Sequence, residues 1–250
     1  MGELTLYYGT MEGGKTTKLL QDLYNYSKYG IEVFVMKPKV DNKGDNKIIN
    51  RQNESVAVDL LVDDNYSFLS DDFYKRIANS EFILVDEAQF LTLKQAEDLW
   101  VVTRRLNKNV ICYGLKSKFN GHTFETTAEL SAKADQKHEL VINCGCGKPA
   151  MFNARRVGGV YQLEGSDIVI DGKHEKTEYI PLCGDCFYEK VYKPNHLELN
   201  GELEGQCSLF GELEGQNSLE GELEGQCSLD DKEYVKRLVR KPWEKANFSL

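Results

Sequence analysis

Short apolar runs alternate with stretches of helical character along the first 115 residues. The runs are predicted strands, and they occupy 4–8, 32–36, 82–85 and 110–115, with weaker candidates at 56–58 and 60–62. The stretches between them predict helices over 17–29, 71–79 and 94–106. A strand, a helix and a second strand in this order form a right-handed crossover between parallel strands. The pattern therefore predicts an α/β fold, a parallel sheet with helices on both faces.

The pattern changes after residue 144. Strand-like pieces around 151–152, 160–163 and 168–170 predict a small β domain. An acidic repeat follows, in which Gly-Glu-Leu-Glu-Gly-Gln-Cys-Ser-Leu begins at 201 and returns, with one change, at 211 and again at 221. We expect this tail to be disordered, although stacked short strands are an alternative. The predicted organisation is a nucleotide-binding domain at 1–140, a β domain at 141–195, the tail at 196–230 and a basic helix at 231–250.

The net charge of −9 belongs largely to the tail. Residues 201–230 contain eight acidic residues and no lysine or arginine, which leaves about −1 for the other 220 residues. A general nucleic-acid-binding surface is not expected, because such surfaces need clustered cations. The apolar runs are too short to span a membrane and the first residues lack a secretory charge pattern, so we expect a cytoplasmic protein with no membrane partner.

The first strand leads into a glycine-rich loop that has the spacing of a phosphate-binding loop. The loop comprises Gly9, Thr10, Met11, Glu12, Gly13, Gly14, Lys15 and Thr16. Glycines let backbone N–H groups approach phosphate oxygens, the lysine adds a positive charge, and the threonine hydroxyl suits Mg²⁺. A chance match is the alternative, but the strand before the loop and the helix after it favour ATP and Mg²⁺ binding.

Two carboxylates, Asp86 and Glu87, end the apolar run at 82–85. The carboxyl end of a buried parallel strand is where a phosphate loop is met, so Asp86 is a candidate Mg²⁺ ligand. Glu87 is a candidate general base for an attacking hydroxyl. The alternative is a strand end followed by a helix cap. The polar segment 41–54, which includes Lys43, is interpreted as a solvated loop.

Four cysteines form two close pairs, Cys144 with Cys146 and Cys183 with Cys186. Four thiolates on two turns give the tetrahedral sulfur cage that Zn²⁺ prefers, and a small β domain benefits from such a structural ion. Free thiols or a labile disulfide are the alternatives. Cys112, inside an apolar run, is expected to be a core residue. Phe119 and Phe124, in an aperiodic polar loop, are expected to be exposed and available for stacking on a base.

The phosphate loop, the segment Asp86-Glu87-Ala88-Gln89-Phe90 and the later cysteine pairs, in this order, resemble the type II (cytosolic and bacterial) thymidine kinase family over residues 3 to about 192. The resemblance implies a RecA-like P-loop domain, a zinc-binding lasso domain and a homotetramer. It also implies ATP-dependent phosphorylation of thymidine, and possible phosphorylation of deoxyuridine, with Glu87 as general base. Lys43, Asp86 and Gln89 would join the loop in binding the nucleotide, and the implied nucleoside pocket comprises Met11, Leu115, Phe119, Phe124 and Tyr179.

Several features depart from the family pattern, among them the Cys-x-Cys spacing of the first cysteine pair, and two of them concern phosphate binding. Glu12 places a carboxylate in the phosphate loop and would repel phosphate unless it turns outward, and Lys43 stands where arginine is common. The alternatives to a kinase are a P-loop ATPase that uses no nucleoside and a non-catalytic zinc-ribbon adaptor.

Overall fold

The computed structural model describes residues 1–41, 44–165 and 177–197. These residues lie in the compact unit Met1–Glu202. The strands are β1 (Leu4–Gly9), β2 (Val33–Pro38), β3 (Lys47–Ile49), β4 (Ser55–Ala57), β5 (Leu60–Val62), β6 (Phe82–Val85), β7 (Asn109–Leu115), β8 (Gln136–Leu140), β9 (Phe152–Val157), β10 (Val160–Gln162) and β11 (Thr177–Leu182). The α-helices are α1 (Lys15–Lys28), α2 (Asp71–Arg76), α3 (Leu93–Leu106), α4 (Glu125–Lys133), α5 (Gly184–Phe187) and α6 (Lys193–Leu197), with a 3₁₀ turn at Ala88–Phe90 and a π turn at Tyr188–Tyr192.

Six strands form the central sheet in the order β5-β2-β6-β7-β1-β8. Every neighbouring pair in it is parallel. The predicted parallel sheet is therefore confirmed, and the carboxyl ends of β1, β6 and β7 meet at one edge.

Residues that alternate along the strands face two separate cores. On one face, Val35, Leu84 and Ile111 pack against Leu19 of α1. On the other face, buried residues of the same strands pack against α2, α3 and α4, and Cys112 lies in this second core, fully buried as predicted. The period of two along each strand produces this division, because successive side chains point to opposite faces. Helices on both faces are thus confirmed.

Some elements differ from the prediction. β8 was not predicted, because its polar sequence Gln-Lys-His-Glu-Leu contains no apolar run. Among the described strands it pairs only with β1. The segment 41–54 is not simply a solvated loop, because β3 pairs with β4 in an antiparallel hairpin and Ile48 is buried. The positions 42 and 43 of that segment lie outside the described residues.

A three-stranded antiparallel sheet, β10-β9-β11, follows the first cysteine pair. Its core contains Ala154, Leu182, Phe187 and Val191. The small β region is as predicted, but no strand was predicted at the position of β11. The piece predicted at 168–170, the acidic tail and the final basic helix lie outside the described residues. The domain boundary near residue 140 stays a prediction.

Within the three described ranges, we find no helix with the length and apolar character needed to cross a membrane.

Candidate active site

The glycine-rich loop lies between β1 and α1, as its motif predicts. A Cβ atom on Gly9 would lie 2.4 Å from the carbonyl oxygen of Leu140, so only glycine fits there. Gly14 has a φ of 75° and forms the N-cap of α1, which has no side-chain cap hydrogen bond. Because the first N–H groups of a helix have no partner within the helix, this end of α1 suits an anion.

Lys15 is buried at the base of the loop. Its Nζ donates a hydrogen bond to the carbonyl oxygen of Thr10, at 2.6 Å. Burial lowers the pKa of Lys15, while the nearby charges of Glu87 and Asp86 oppose that shift. The lysine is therefore held within the loop, beside the two carboxylates that the sequence singled out.

Glu12 forms an ion pair with Arg51, with 2.7 Å between Oε1 and Nη1. Arg51 lies in the turn between β3 and β4. The carboxylate that departs from the family pattern thus has a cationic partner. Both side chains are substantially exposed, so the pair contributes little to stability, but it offsets the negative charge in the loop.

Asp86 follows β6 and is buried. Burial raises its pKa to about 8, with further upward contributions from the charges of Glu87 and Asp41 and a downward one from Lys15. A divalent cation beside such a carboxyl group would favour the ionised form. The oxygen-rich chemistry of Asp86 and Thr16 fits Mg²⁺.

Glu87 is oriented by Gln89. Glu87 has a φ of 49° and a ψ of 38°, the left-handed conformation that few non-glycine residues adopt. Its Oε2 accepts a hydrogen bond from Nε2 of the buried Gln89 at 2.6 Å, and Oε1 of Gln89 accepts one from the Leu115 N–H at 2.9 Å. The structure therefore places Gln89 as a link between Glu87 and the end of β7, and its predicted role in nucleotide binding stays a prediction.

A cavity of about 410 Å³ brings Lys15, Thr16 and Glu87 together, whereas Asp86 and Gln89 are not among its lining residues. It is lined by Met11, Glu12, Gly14, Lys15, Thr16, Thr17, Asp41, Ile49, Asn50, Arg51, Gln52, Glu87, Phe90 and Leu115. The sequence reasoning missed Asn50 and Gln52. The signal in the sequence was Asn50 itself, since asparagine favours turns. In the structure its Oδ1 accepts hydrogen bonds from the N–H groups of Gln52 and Glu54, at 3.0 Å each. Lys43 lies outside the described residues.

Of the predicted nucleoside-binding residues, Met11 and Leu115 line this cavity. Phe119 and Phe124 are buried, so the expectation that they are exposed is wrong. The Phe119 ring lies 3.5 Å below the guanidinium carbon of Arg155, and Phe124 packs edge-on against Phe90 with 5.9 Å between ring centroids. The sequence could not show this, because the covering groups come from distant segments.

Tyr179 lies on β11, half-buried and in register with Arg155 of β9. The structure thus places it on the three-stranded sheet and outside the cavity lining given above. Its predicted contact with a nucleoside stays a prediction.

The four cysteine sulfur atoms of Cys144, Cys146, Cys183 and Cys186 all lie within 4.8 Å of one another. Zn–S bonds of about 2.3 Å in a tetrahedron place sulfur atoms about 3.8 Å apart. Backbone hydrogen bonds from Cys146 and Cys183 lower the pKa of Cys144, whereas hydrogen bonds with the other three cysteine side chains raise the pKa of Cys186. A bound cation would favour the thiolate form of all four. The cluster fits a structural zinc ion, as the cysteine spacing predicts.

Comparisons with a family model and with curated proteins all match this chain to thymidine kinases. The family model described as "Thymidine kinase" matches residues 2–187. A thymidine kinase of Coxiella burnetii is 39% identical over 178 residues, which cover 67% of this chain and 90% of that protein. Thymidine kinases of Francisella tularensis and Rhodopirellula baltica are 34% and 36% identical, and the matches cover 77% and 80% of this chain and 100% and 94% of those proteins. Among solved structures, Bacteroides Pif1 bound to ssDNA gives a TM-score of 0.32 at 14% identity over 55% of this chain and 38% of that one, which is too low to support an argument.

Proposed function

This chain belongs to the thymidine kinase family, and we propose that it transfers the γ-phosphoryl group of ATP to the 5′-hydroxyl of thymidine. The observation that carries the proposal is a cavity that residues of the glycine-rich loop, among them Lys15, line together with Glu87. Phosphoryl transfer needs little covalent chemistry from the protein, so catalysis depends on positioning two substrates and stabilising charge.

In this proposal the triphosphate lies along the loop and the first turn of α1. The ammonium group of Lys15 keeps its hydrogen bond to the carbonyl oxygen of Thr10 and donates its other two hydrogens to phosphate oxygens. Thr16 and Asp86 are the residues that would hold Mg²⁺, which supplies charge neutralisation at the phosphates when bound. The helix N-terminus adds to the same stabilisation because its free N–H groups suit an anion.

Glu87 accepts the proton of the 5′-hydroxyl as that oxygen attacks the γ-phosphorus. The hydrogen bond from Gln89 keeps the carboxylate in place. The nucleoside contacts Met11 and Leu115 at the cavity. Contacts with Phe119, Phe124 and Tyr179, none of which lines this cavity, are expected from the family resemblance alone. The four cysteines would hold Zn²⁺, which would stabilise the small sheet. The homotetramer implied by the resemblance belongs to the same proposal and is measured by analytical ultracentrifugation.

A phosphoryl-transfer assay with ATP, Mg²⁺ and each of the four deoxynucleosides tests the proposal. We expect thymidine 5′-monophosphate and ADP in equal amounts, and a loss of this activity in Lys15→Met, which removes the ammonium group. ATP hydrolysis that needs no nucleoside and is unchanged in Phe119→Ala would contradict the kinase assignment and support an ATPase.

A further inference from the structure

One buried side chain, that of Asn153 on β9, joins the small sheet to two other parts of the chain. Its Oδ1 accepts a hydrogen bond from the N–H of Met11 in the glycine-rich loop, at 2.6 Å. Its Nδ2 donates to the carbonyl oxygen of Ser117, beyond the end of β7, at 3.0 Å. The residue is 2% exposed. Because the two contacts need an acceptor on one side and a donor on the other, they fix the orientation of the carboxamide.

The N–H of Met11 and the carbonyl group of Thr10 belong to the same planar peptide unit. That carbonyl oxygen is the acceptor for Nζ of Lys15, at 2.6 Å. Because the peptide bond is planar, holding its N–H also sets the direction of its C=O. Asn153 therefore acts on the lysine through one peptide plane.

Arg155 lies two residues further along β9 and points to the same side of the sheet as Asn153. Its guanidinium group covers the ring of Phe119, with 3.5 Å from the guanidinium carbon to the ring centroid, and Nη2 donates to the carbonyl oxygen of Glu164 at 2.9 Å. Both side chains are buried. This side of β9 is thus packed along the segment that follows β7, which holds Asn153 in place beside the loop.

We propose that Asn153 is a positioning residue of the phosphate site, which orients the Thr10–Met11 peptide and so presents Lys15 to the phosphates of ATP. The proposal rests on the proposed function only in taking the glycine-rich loop as the ATP-binding loop. It assigns to β9, a strand of the three-stranded sheet, an effect on nucleotide affinity.

The test is a double-mutant cycle on ATP binding without thymidine, measured by calorimetry in the full-length protein. Asn153→Leu removes both hydrogen bonds at nearly constant volume, and we expect the ATP dissociation constant to rise about tenfold. In a Lys15→Met background the same change is expected to have less than about a twofold effect, because residues that act through one another are not additive. Asn65→Leu, at an exposed asparagine, is the matched control and is expected to leave the constant unchanged.

Amide hydrogen exchange provides a second readout that does not depend on activity. We expect the Met11 amide to exchange about tenfold faster in Asn153→Leu, while the amides of β9 keep their protection. Asn153→Ser, whose hydroxyl both accepts and donates, is expected to restore part of the protection and of the ATP affinity.

Two results would overturn the proposal. One is an ATP dissociation constant in Asn153→Leu within about twofold of the wild type. The other is an equal effect of Asn153→Leu with and without Lys15, which would make the residue merely structural. If Asn153→Leu fails to fold, the same cycle with Asn153→Ser decides, with an expected rise of about threefold that disappears in Lys15→Met. Because thymidine is absent throughout, a failure of thymidine phosphorylation would be seen separately, in the deoxynucleoside assay.

Discussion

Glu87 combines a strained backbone with an oriented side chain. Its left-handed conformation costs on the order of 1 kcal/mol for a non-glycine residue, and such strain is concentrated at functional sites. The hydrogen bond from Gln89 then directs the carboxylate. A residue that only ended a strand would need neither feature, so both support the role proposed for Glu87.

Replacing Gln89 with methionine tests whether that orientation matters. The change removes the donor to Glu87 and leaves the N–H of Leu115 without its acceptor, at nearly constant volume. We expect kcat to fall about tenfold. We also expect the free energy of unfolding to fall by about 1–3 kcal/mol, the cost of leaving a buried polar group without its hydrogen-bond partner. Steady-state kinetics and urea unfolding measure the two effects.

The exposed Gln21 on α1 offers the matched control. Gln21→Met is expected to change neither quantity appreciably. A Gln89→Met enzyme with wild-type kcat but reduced stability would show that Gln89 supports the fold without directing Glu87.

At the scale of elements, α3 begins with a capping box. The Thr92 hydroxyl accepts from the N–H of Gln95 at 3.2 Å, and the Gln95 side chain accepts from the N–H of Thr92 at 3.0 Å. Thr92→Ala is expected to lower the free energy of unfolding by about 1 kcal/mol, with kinetic constants unchanged at a temperature where the protein stays folded. Urea unfolding checks the first point. A stability equal to that of the wild type would show that Gln95 alone satisfies the helix end.

Asp135 lies just before β8, and its side chain contacts both β1 and α3. Its Oδ2 accepts from the N–H of Leu4 at 2.8 Å and its Oδ1 from Arg104 at 2.5 Å, and these two bonds, in that order, lower its pKa. Because the folded-state pKa is the lower one, the stabilisation is present above about pH 4, where unfolded aspartate ionises, and is lost as the pH falls through the folded-state value.

We therefore expect Asp135→Asn to be less stable than the wild type at pH 7 by up to about 1 kcal/mol, since the group is partly exposed. Urea unfolding at pH 7 and near pH 3 should show that this difference shrinks in acid. A difference that stays constant between the two pH values would contradict the assignment of the effect to the charge of Asp135.

The elements that the sequence predicted are those marked by apolar runs, such as β6 and β7. The missed strand β8 is held by backbone hydrogen bonds to β1 and is largely exposed, so its composition carries no signal. At the site, too, local features could be predicted from the sequence and contacts between distant segments could not. The positions of the loop after β1 and of Asp86 and Glu87 after β6 were predictable because their motifs are local in the sequence. The contact between Met11 and Asn153 spans 142 positions and depends on the folded arrangement.

At the scale of the whole chain, the cysteine cluster lies on the segments that flank the β9 sheet. Cys144 and Cys146 precede β9, and Cys183 directly follows β11. Since β9 also carries Asn153, a structural ion at the cluster would stabilise the sheet from which that side chain reaches the loop.

Cys146→Ser tests this connection, because it removes one of four sulfur ligands. We expect loss of bound zinc, a lower unfolding midpoint and weaker ATP binding, measured by elemental analysis, thermal unfolding and calorimetry. Cys112→Ala, in the core of the parallel sheet, is expected to lower stability and keep the zinc. Full zinc occupancy in Cys146→Ser would contradict the four-cysteine site.

The most direct test of the proposed mechanism is single-turnover phosphoryl transfer from ATP to thymidine by Glu87→Gln, with Glu97→Gln at an exposed position of α3 as control. A general-base role for Glu87 predicts that Glu87→Gln binds ATP and thymidine within about threefold of the wild type, while the rate of transfer falls by about 100-fold or more. A transfer rate in Glu87→Gln equal to that of the wild type and of Glu97→Gln would contradict it.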